Sequence, residues 1–168
     1  RHALADEGRP AARSARLSPE RDRMPKGAGC IFCKIVRGEA GAHRVYEDAR
    51  TIVFMDIFPV TDGHALVVTK DHFENLYEVD EPTLGAVARA SLRVAAAIRE
   101  ELAPDGLMVF QLNGEAAGQT VFHYHMHLMP RSRGEPLQLH TRVPGDPARL
   151  AATAARLSTA LERLGLVD

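Results

Sequence analysis

The sequence predicts an α+β fold: an antiparallel sheet carrying one long helix and a second helix near the C-terminus. Three observations predict it. The apolar stretches are short and β-branched or alternating, and most are joined by hairpin-length turns. One long stretch with helical spacing interrupts them, and a second helical stripe closes the chain. The 168 residues are enough for one compact domain with its own core.

Residues 1–29 read as a disordered tail. They are rich in Arg, Ala, Pro, Gly and Ser and nearly free of large apolar side chains, so ordering them would bury too little surface to offset the lost entropy. Met24 within this stretch is a candidate natural start. Residues 30–168 form a single domain. Cys30 to Arg37 predicts a short helix or turn. Arg44 to Glu47 and Thr51 to Met55 predict two strands with a tight turn at Glu47-Asp48, and His64 to Thr69 a third after the break at Asp62-Gly63.

Asp80 caps the long helix, with Pro82 in its first turn. Leu84, Val87, Ala88, Ser91, Val94, Ala95, Ile98 and Leu102 form its apolar stripe, and Pro104-Asp105-Gly106 ends it. Leu107 to Leu112 predicts a strand, Gly114 to Gly118 a polar loop, and Thr120 to Met129 a strongly alternating strand. Ser132 to Gly145 is loop-rich and placed near the functional residues. The last helix runs from Asp146-Pro147 to about Leu164, with Leu150, Ala154, Leu157 and Leu161 on one side.

Bulk properties exclude several classes. A net charge of −1 and a pI near 6.8 argue against a nucleic-acid binder working by bulk electrostatics, but not against a small nucleotide in a pocket. No apolar run is long enough to cross a bilayer, and no signal-peptide core precedes the domain. The two cysteines, Cys30 and Cys33, are too few and too close for a secreted disulfide scaffold. A cytoplasmic location without membrane association is the expectation.

The informative stretch is Gly118-Gln119-Thr120-Val121-Phe122-His123-Tyr124-His125-Met126-His127-Leu128-Met129-Pro130. In a strand, alternate side chains share a face, so His123, His125 and His127 line one side and Phe122, Tyr124, Met126 and Leu128 the core side. Same-face neighbours lie roughly 6.5–7 Å apart along a strand, which a phosphate and its leaving oxygen can span. A neutral imidazole is nucleophilic near neutral pH and can bond covalently to phosphorus. It needs a fixed tautomer and donors for the phosphate oxygens. Thr120, Gln119 and Asn113 are polar side chains suited to that, and the amides of Gly114 to Gly118 are candidates for a backbone nest.

This stretch resembles the histidine triad (HIT) family, whose signature is His-φ-His-φ-His-φ-φ with φ apolar. Gly118-Gln119-Thr120, Phe54-Met55-Asp56-Ile57 and Gly63-His64-Ala65-Leu66-Val67-Val68 are similar to the family as well, so the resemblance covers Cys30 to Arg131. It implies a five-stranded antiparallel sheet with a long helix and a C-terminal helix, and a homodimer to which the helix from Pro82 to Leu102 would contribute. It also implies a purine nucleotide or nucleotide conjugate as ligand. By resemblance His125 is the nucleophile, oriented by a main-chain carbonyl, and His127 and Asn113 contact the phosphate. Thr120 would sit near the scissile oxygen with Gln119 close by, and Asp56 would hold the ribose hydroxyls, although Asp56 also suits a turn before Pro59. Phe32, Ile35, Phe54 and Ile57 are candidates either for the base pocket or for plain core wall. His64 is either a partner of the triad or a cap on its strand. His43 and His140 read as surface residues.

The activity so implied is hydrolysis or transfer at a nucleotide's α-phosphate through a nucleotidyl-histidine, on a phosphoramidate or related conjugate. Cleavage of dinucleoside polyphosphates and a non-catalytic nucleotide-binding role stay open. Cys30-Ile31-Phe32-Cys33 has the spacing of a zinc knuckle, and a structural zinc site needs two further ligands, for which His72 and His123 are candidates. The resemblance implies that set, Cys30, Cys33, His72 and His123, with zinc structural. A redox dithiol or two reduced core thiols are the alternatives.

Overall fold

The structure, a computed structural model, describes residues 27–167; the tail expected over 1–29 lies, for residues 1–26, outside the described residues. Five strands and three helices follow in the order α1 (Ile31–Val36), β1 (Arg44–Glu47), β2 (Thr51–Met55), β3 (Ala65–Thr69), α2 (Glu81–Leu102), β4 (Gly106–Phe110), β5 (His125–Arg131) and α3 (Pro147–Arg163). The strands form one sheet, β1-β2-β3-β5-β4, with every neighbouring pair antiparallel. This is the α+β architecture with a five-stranded antiparallel sheet, a long helix and a C-terminal helix that the sequence implied.

Alternation along β2 and β3 builds the two faces. Val53, Met55, Ala65 and Val67 point to the side covered by α2 and α3, where they meet Val87, Ala90, Val94, Ile98, Leu157 and Leu161. Ile52, Phe54, Leu66 and Val68 point to the other side, where Phe32 and Ile35 of α1 cover them. Both central strands are therefore buried on both faces. The tight turn between β1 and β2 is made by Asp48, whose Oδ1 accepts from the amides of Arg50 and Thr51 at 2.8 and 2.7 Å.

Helix α2 starts on Asp80, whose carboxylate accepts from the Thr83 amide at 2.7 Å. Its buried face is turned from the expected stripe: Ala86, Ala90 and Ala97 are buried, whereas Ala88 is exposed and Leu84, Ala95 and Leu102 are partly covered. Alanine carries too little apolar signal to fix the stripe's azimuth. Helix α2 ends on Ala103 in the left-handed region, φ 43°, a conformation that favours glycine. Ala103→Gly is expected to raise stability by about 0.5–1 kcal/mol, read as a higher urea midpoint at unchanged m.

The second correction bears on function. The strand expected over Thr120 to Met129 begins only at His125. Before it, His123 N bonds to Val121 O and Tyr124 N to Phe73 O, so residues 121–124 bend across the end of the sheet instead of entering the ladder. Phe122, expected in the core, is 41% exposed as a result, while Tyr124 and Leu128 are buried as expected.

Candidate functional site

His125 and His127 lie on β5 opposite Val68 and Leu66 of β3, and so face the α1 side of the sheet. His123 precedes the strand but turns to the same side: the Phe32 ring lies edge-on 5.9 Å from the His123 ring and 5.2 Å from that of His125. The His125 and His127 rings are 4.9 Å apart.

Hydrogen bonds fix the tautomers. His125 Nδ1 lies 2.6 Å from the carbonyl oxygen of His123. A carbonyl only accepts, so Nδ1 carries the proton and Nε2 keeps its lone pair. Burial holds the His125 imidazole below its ordinary pKa, which keeps it neutral.

A second relay ends on His127. The Val60 amide donates to His64 Nδ1 at 3.3 Å, leaving the His64 proton on Nε2, which donates to His127 Nδ1 at 2.9 Å. The His127 proton is thereby placed on Nε2, a buried atom with no partner among the described residues. Burial, with His125 and His64 beside it, pushes His127 down to about 2, so the ring acts as a neutral donor. Phe110, its cross-strand partner on β4, stacks on it at 4.4 Å and 2°. The site thus presents a lone pair on one ring and an unused N–H on the next, the pair of groups that attack on phosphorus and charge transfer to its oxygens require.

The other expected residues divide. Asp56, at the end of β2, accepts from the Phe58 amide through Oδ1 at 2.9 Å, and its Oδ2 lies 3.7 Å from His64 Nδ1. Phe32, Ile35 and Phe54 pack in one buried cluster, Phe32 edge-on to Phe54 at 5.4 Å, whereas Ile57 stands apart and is 55% exposed. Asn113 accepts from Leu76 N at 2.8 Å and donates one amide proton to Gln111 Oε1, leaving the other. Gln119 is buried; its Oε1 accepts from Gly114 N, and Nε2 donates to Glu74 O and Val121 O. Both its protons are used inside the protein, where Gln119 braces the loop. Thr120 is exposed beside it.

The amides of Gly114, Ala117, Gly118 and Gln119 bond within the same loop, which winds into a 3-10 turn over Glu115–Ala117. Sequence reading left His64 open and missed Phe110 and His140. The position of Phe110, opposite His127 once β4 and β5 pair, is the one signal that could have found it.

Cys30, Cys33, His72 and His123 form a second constellation, whose ligand atoms all lie within 4.8 Å of one another. Cys30 is the N-cap of α1 and Cys33 lies in its first turn, so one helical turn brings both thiols to the same side. His123 Nε2 donates to Thr69 O at 2.7 Å, which leaves the Nδ1 lone pair toward the thiols. That Nδ1 lies 3.4 Å from Cys30 Sγ, 3.5 Å from Cys33 Sγ and 3.2 Å from His72 Nδ1, and Cys33 Sγ lies 3.3 Å from His72 Nδ1. Tetrahedral zinc with N and S ligands sets such edges at about 3.3–3.8 Å. The donor set fits a metal ion. Burial and the neighbouring Cys30 push the Cys33 thiol up to about 11, a state that a bound cation would reverse. Gly27, at φ 81°, closes over the cluster: a Cβ there would fall 2.5 Å from Cys33 Sγ.

The HIT domain family model matches residues 37–134 of this sequence. The chain belongs to the HIT family. Within the family it is 49% identical over 102 residues to "Protein hit" of Bacillus subtilis, covering 61% of this chain and 70% of that protein. It is also similar to a zinc-bound histidine triad family protein of Mycobacterium smegmatis, with TM-score 0.73 and 39% identity over 82% of this chain and 96% of the other. A hypothetical histidine triad nucleotide-binding protein of Sulfolobus tokodaii matches with TM-score 0.74 and 32% identity over 80% and 93% of the two chains. Among the described residues of this HIT protein no helix is long and apolar enough to cross a membrane.

Proposed function

We propose that this HIT protein is a nucleotide hydrolase that cleaves at the α-phosphorus through a covalent nucleotidyl-His125 intermediate. The observation that carries the reading is the pairing of a proton-locked His125, whose Nδ1 is held by the His123 carbonyl, with the unpartnered N–H of His127. In the first step His125 Nε2 bonds to phosphorus while the bond to the leaving group breaks. The electron pair of that bond departs with the leaving group, which takes up a solvent proton if it is an amine. In the second step water oxygen bonds to phosphorus, the N–P pair returns to Nε2, and a water proton passes to solvent. His127 Nε2–H and the spare amide proton of Asn113 would meet the phosphate oxygens. Asp56 would hold the ribose diol, Ile57 and the Phe32, Ile35 and Phe54 wall the base, and Thr120 the region of the scissile oxygen.

Cys30, Cys33, His72 and His123 would hold a structural zinc ion, whose chemistry is to cross-link thiolate and imidazole ligands without redox change. The zinc-bound mycobacterial relative supports that identity. A second copy of the chain would pair along the edge strand β4, where Val109 is 49% exposed, with the exposed Leu92 of α2 as a further apolar contact. The deciding experiment incubates the protein with a nucleotide labelled at the α-phosphate and looks for an acid-labile phosphorus–nitrogen adduct. A label on His125 supports the reading; turnover with no adduct would remove it.

A further inference from the structure

The hydrolase reading leaves the leaving group open, and a residue outside the triad bears on it. The segment from Ser132 to Gly145 is fastened at several points. The Arg131 guanidinium donates to the carbonyls of Glu135 and Pro136, Arg133 N donates to Asp105, and Gly145 N donates to Ile57 O at 2.9 Å. Gly145 also lies so close to Pro59 that a Cβ there would fall 2.9 Å from the Pro59 ring. Gln138 Nε2 donates to His140 O at 2.7 Å and ties the backbone at His140.

The His140 ring then stands edge-on to His127, with centroids 5.9 Å apart and planes at 76°. Its Nε2 lies over the loop before β5, 3.7 Å from where a Cβ on Gly118 would sit. Among the described residues it is the one exposed ionisable side chain in ring contact with the triad. The strand order gives the direction. Asp56 and Phe54 lie on the β2–β3 side of His127 and Phe110 on the β4 side; His140 meets His127 next to Gly118, in the loop that leaves β4. A nucleotide with its ribose at Asp56 and its phosphorus at His125 and His127 has its leaving group on the His140 side.

We infer that His140 is a specificity-determining residue that contacts the leaving group and favours an anionic one, a further phosphate carrying a nucleoside, over an amine. The inference rests on the hydrolase reading above. As His125 Nε2 bonds to the α-phosphorus, the bridging P–O bond breaks and its electron pair stays on the departing polyphosphate oxygen. An imidazole N–H meets that anionic oxygen or its neighbours. An amine leaving group takes up a solvent proton as the P–N electron pair passes to nitrogen, so it departs neutral and presents no anionic oxygen to the ring.

The test measures kcat/KM of the full chain on a diadenosine polyphosphate and on an adenosine phosphoramidate, with labelling of His125 scored in parallel. His140→Ala is expected to lower the polyphosphate-to-phosphoramidate ratio about tenfold, the scale of one exposed charge-assisted hydrogen bond. His140→Arg, which puts N–H donors back at this position, is expected to bring the ratio back to within about twofold of the wild type. An unchanged ratio in His140→Ala, with His125 still labelled, overturns the inference and leaves the hydrolase reading standing. So does a fallen ratio that His140→Arg fails to restore, since the loop's packing on Gly118 would then explain it. Turnover by the wild type without any His125 adduct removes the hydrolase reading, and the role of His140 with it.

Discussion

His125→Ala is expected to lower kcat on any turned-over nucleotide substrate by about 10⁴-fold or more, the scale seen when a covalent nucleophile is deleted. Nucleotide affinity is expected to stay within about tenfold, because the residues assigned to ribose and phosphate remain. The argument is one of tautomer. Because Nδ1 is held by the His123 carbonyl at 2.6 Å, only Nε2 is free, and burial keeps it unprotonated. The adjacent His127 cannot substitute: its Nδ1 is taken by His64, and its Nε2 carries the proton. A variant that keeps near-wild-type kcat, with calorimetry showing unchanged binding, would mean that water attacks phosphorus directly.

The second large effect is expected at the cluster of Cys30, Cys33, His72 and His123. Cys33→Ala removes one of four converging ligands, and bound zinc is expected to fall from about one per chain to near zero by elemental analysis. The thermal midpoint is expected to drop by about 10 °C, since an ion bound a thousandfold above its Kd contributes about 4 kcal/mol to a domain of this size. Activity is expected to fall as well, by about ten- to a hundredfold, through His123. That residue offers its ring to the cluster and its carbonyl to the nucleophile, so freeing the ring loosens the acceptor that sets the His125 tautomer. Zinc-depleted protein with an unchanged midpoint and unchanged kcat would separate the cluster from both folding and catalysis.

Most of the scaffold was legible because periodicity and punctuation agree. β1 and β2 fall on the expected residues, since Asp48 between them can only make a turn of that kind, and α2 and α3 start on their Asp-x-Pro and Asp-Pro signals. The start of β5 was not legible. Thr120 to Tyr124 alternates like a strand, but the partners that pull it out of the ladder, Phe73 and Glu74, are brought there only by the fold. The same divide runs through the site. Three histidines at alternate positions announce themselves, as does Cys-x-x-Cys. The contact of His64 with His127, the stack of Phe110 and the approach of His140 depend on strand order and loop anchoring, which no local pattern encodes.

The His127 Nε2–H, which takes no partner among the described residues, bears on what the site can hold. A buried donor left without an acceptor costs about 1–3 kcal/mol, so a ligand that brings an oxyanion to this atom is favoured on that scale over one that brings an apolar group. Because the ring is already fixed by His64 and Phe110, the gain comes without any rearrangement of the chain.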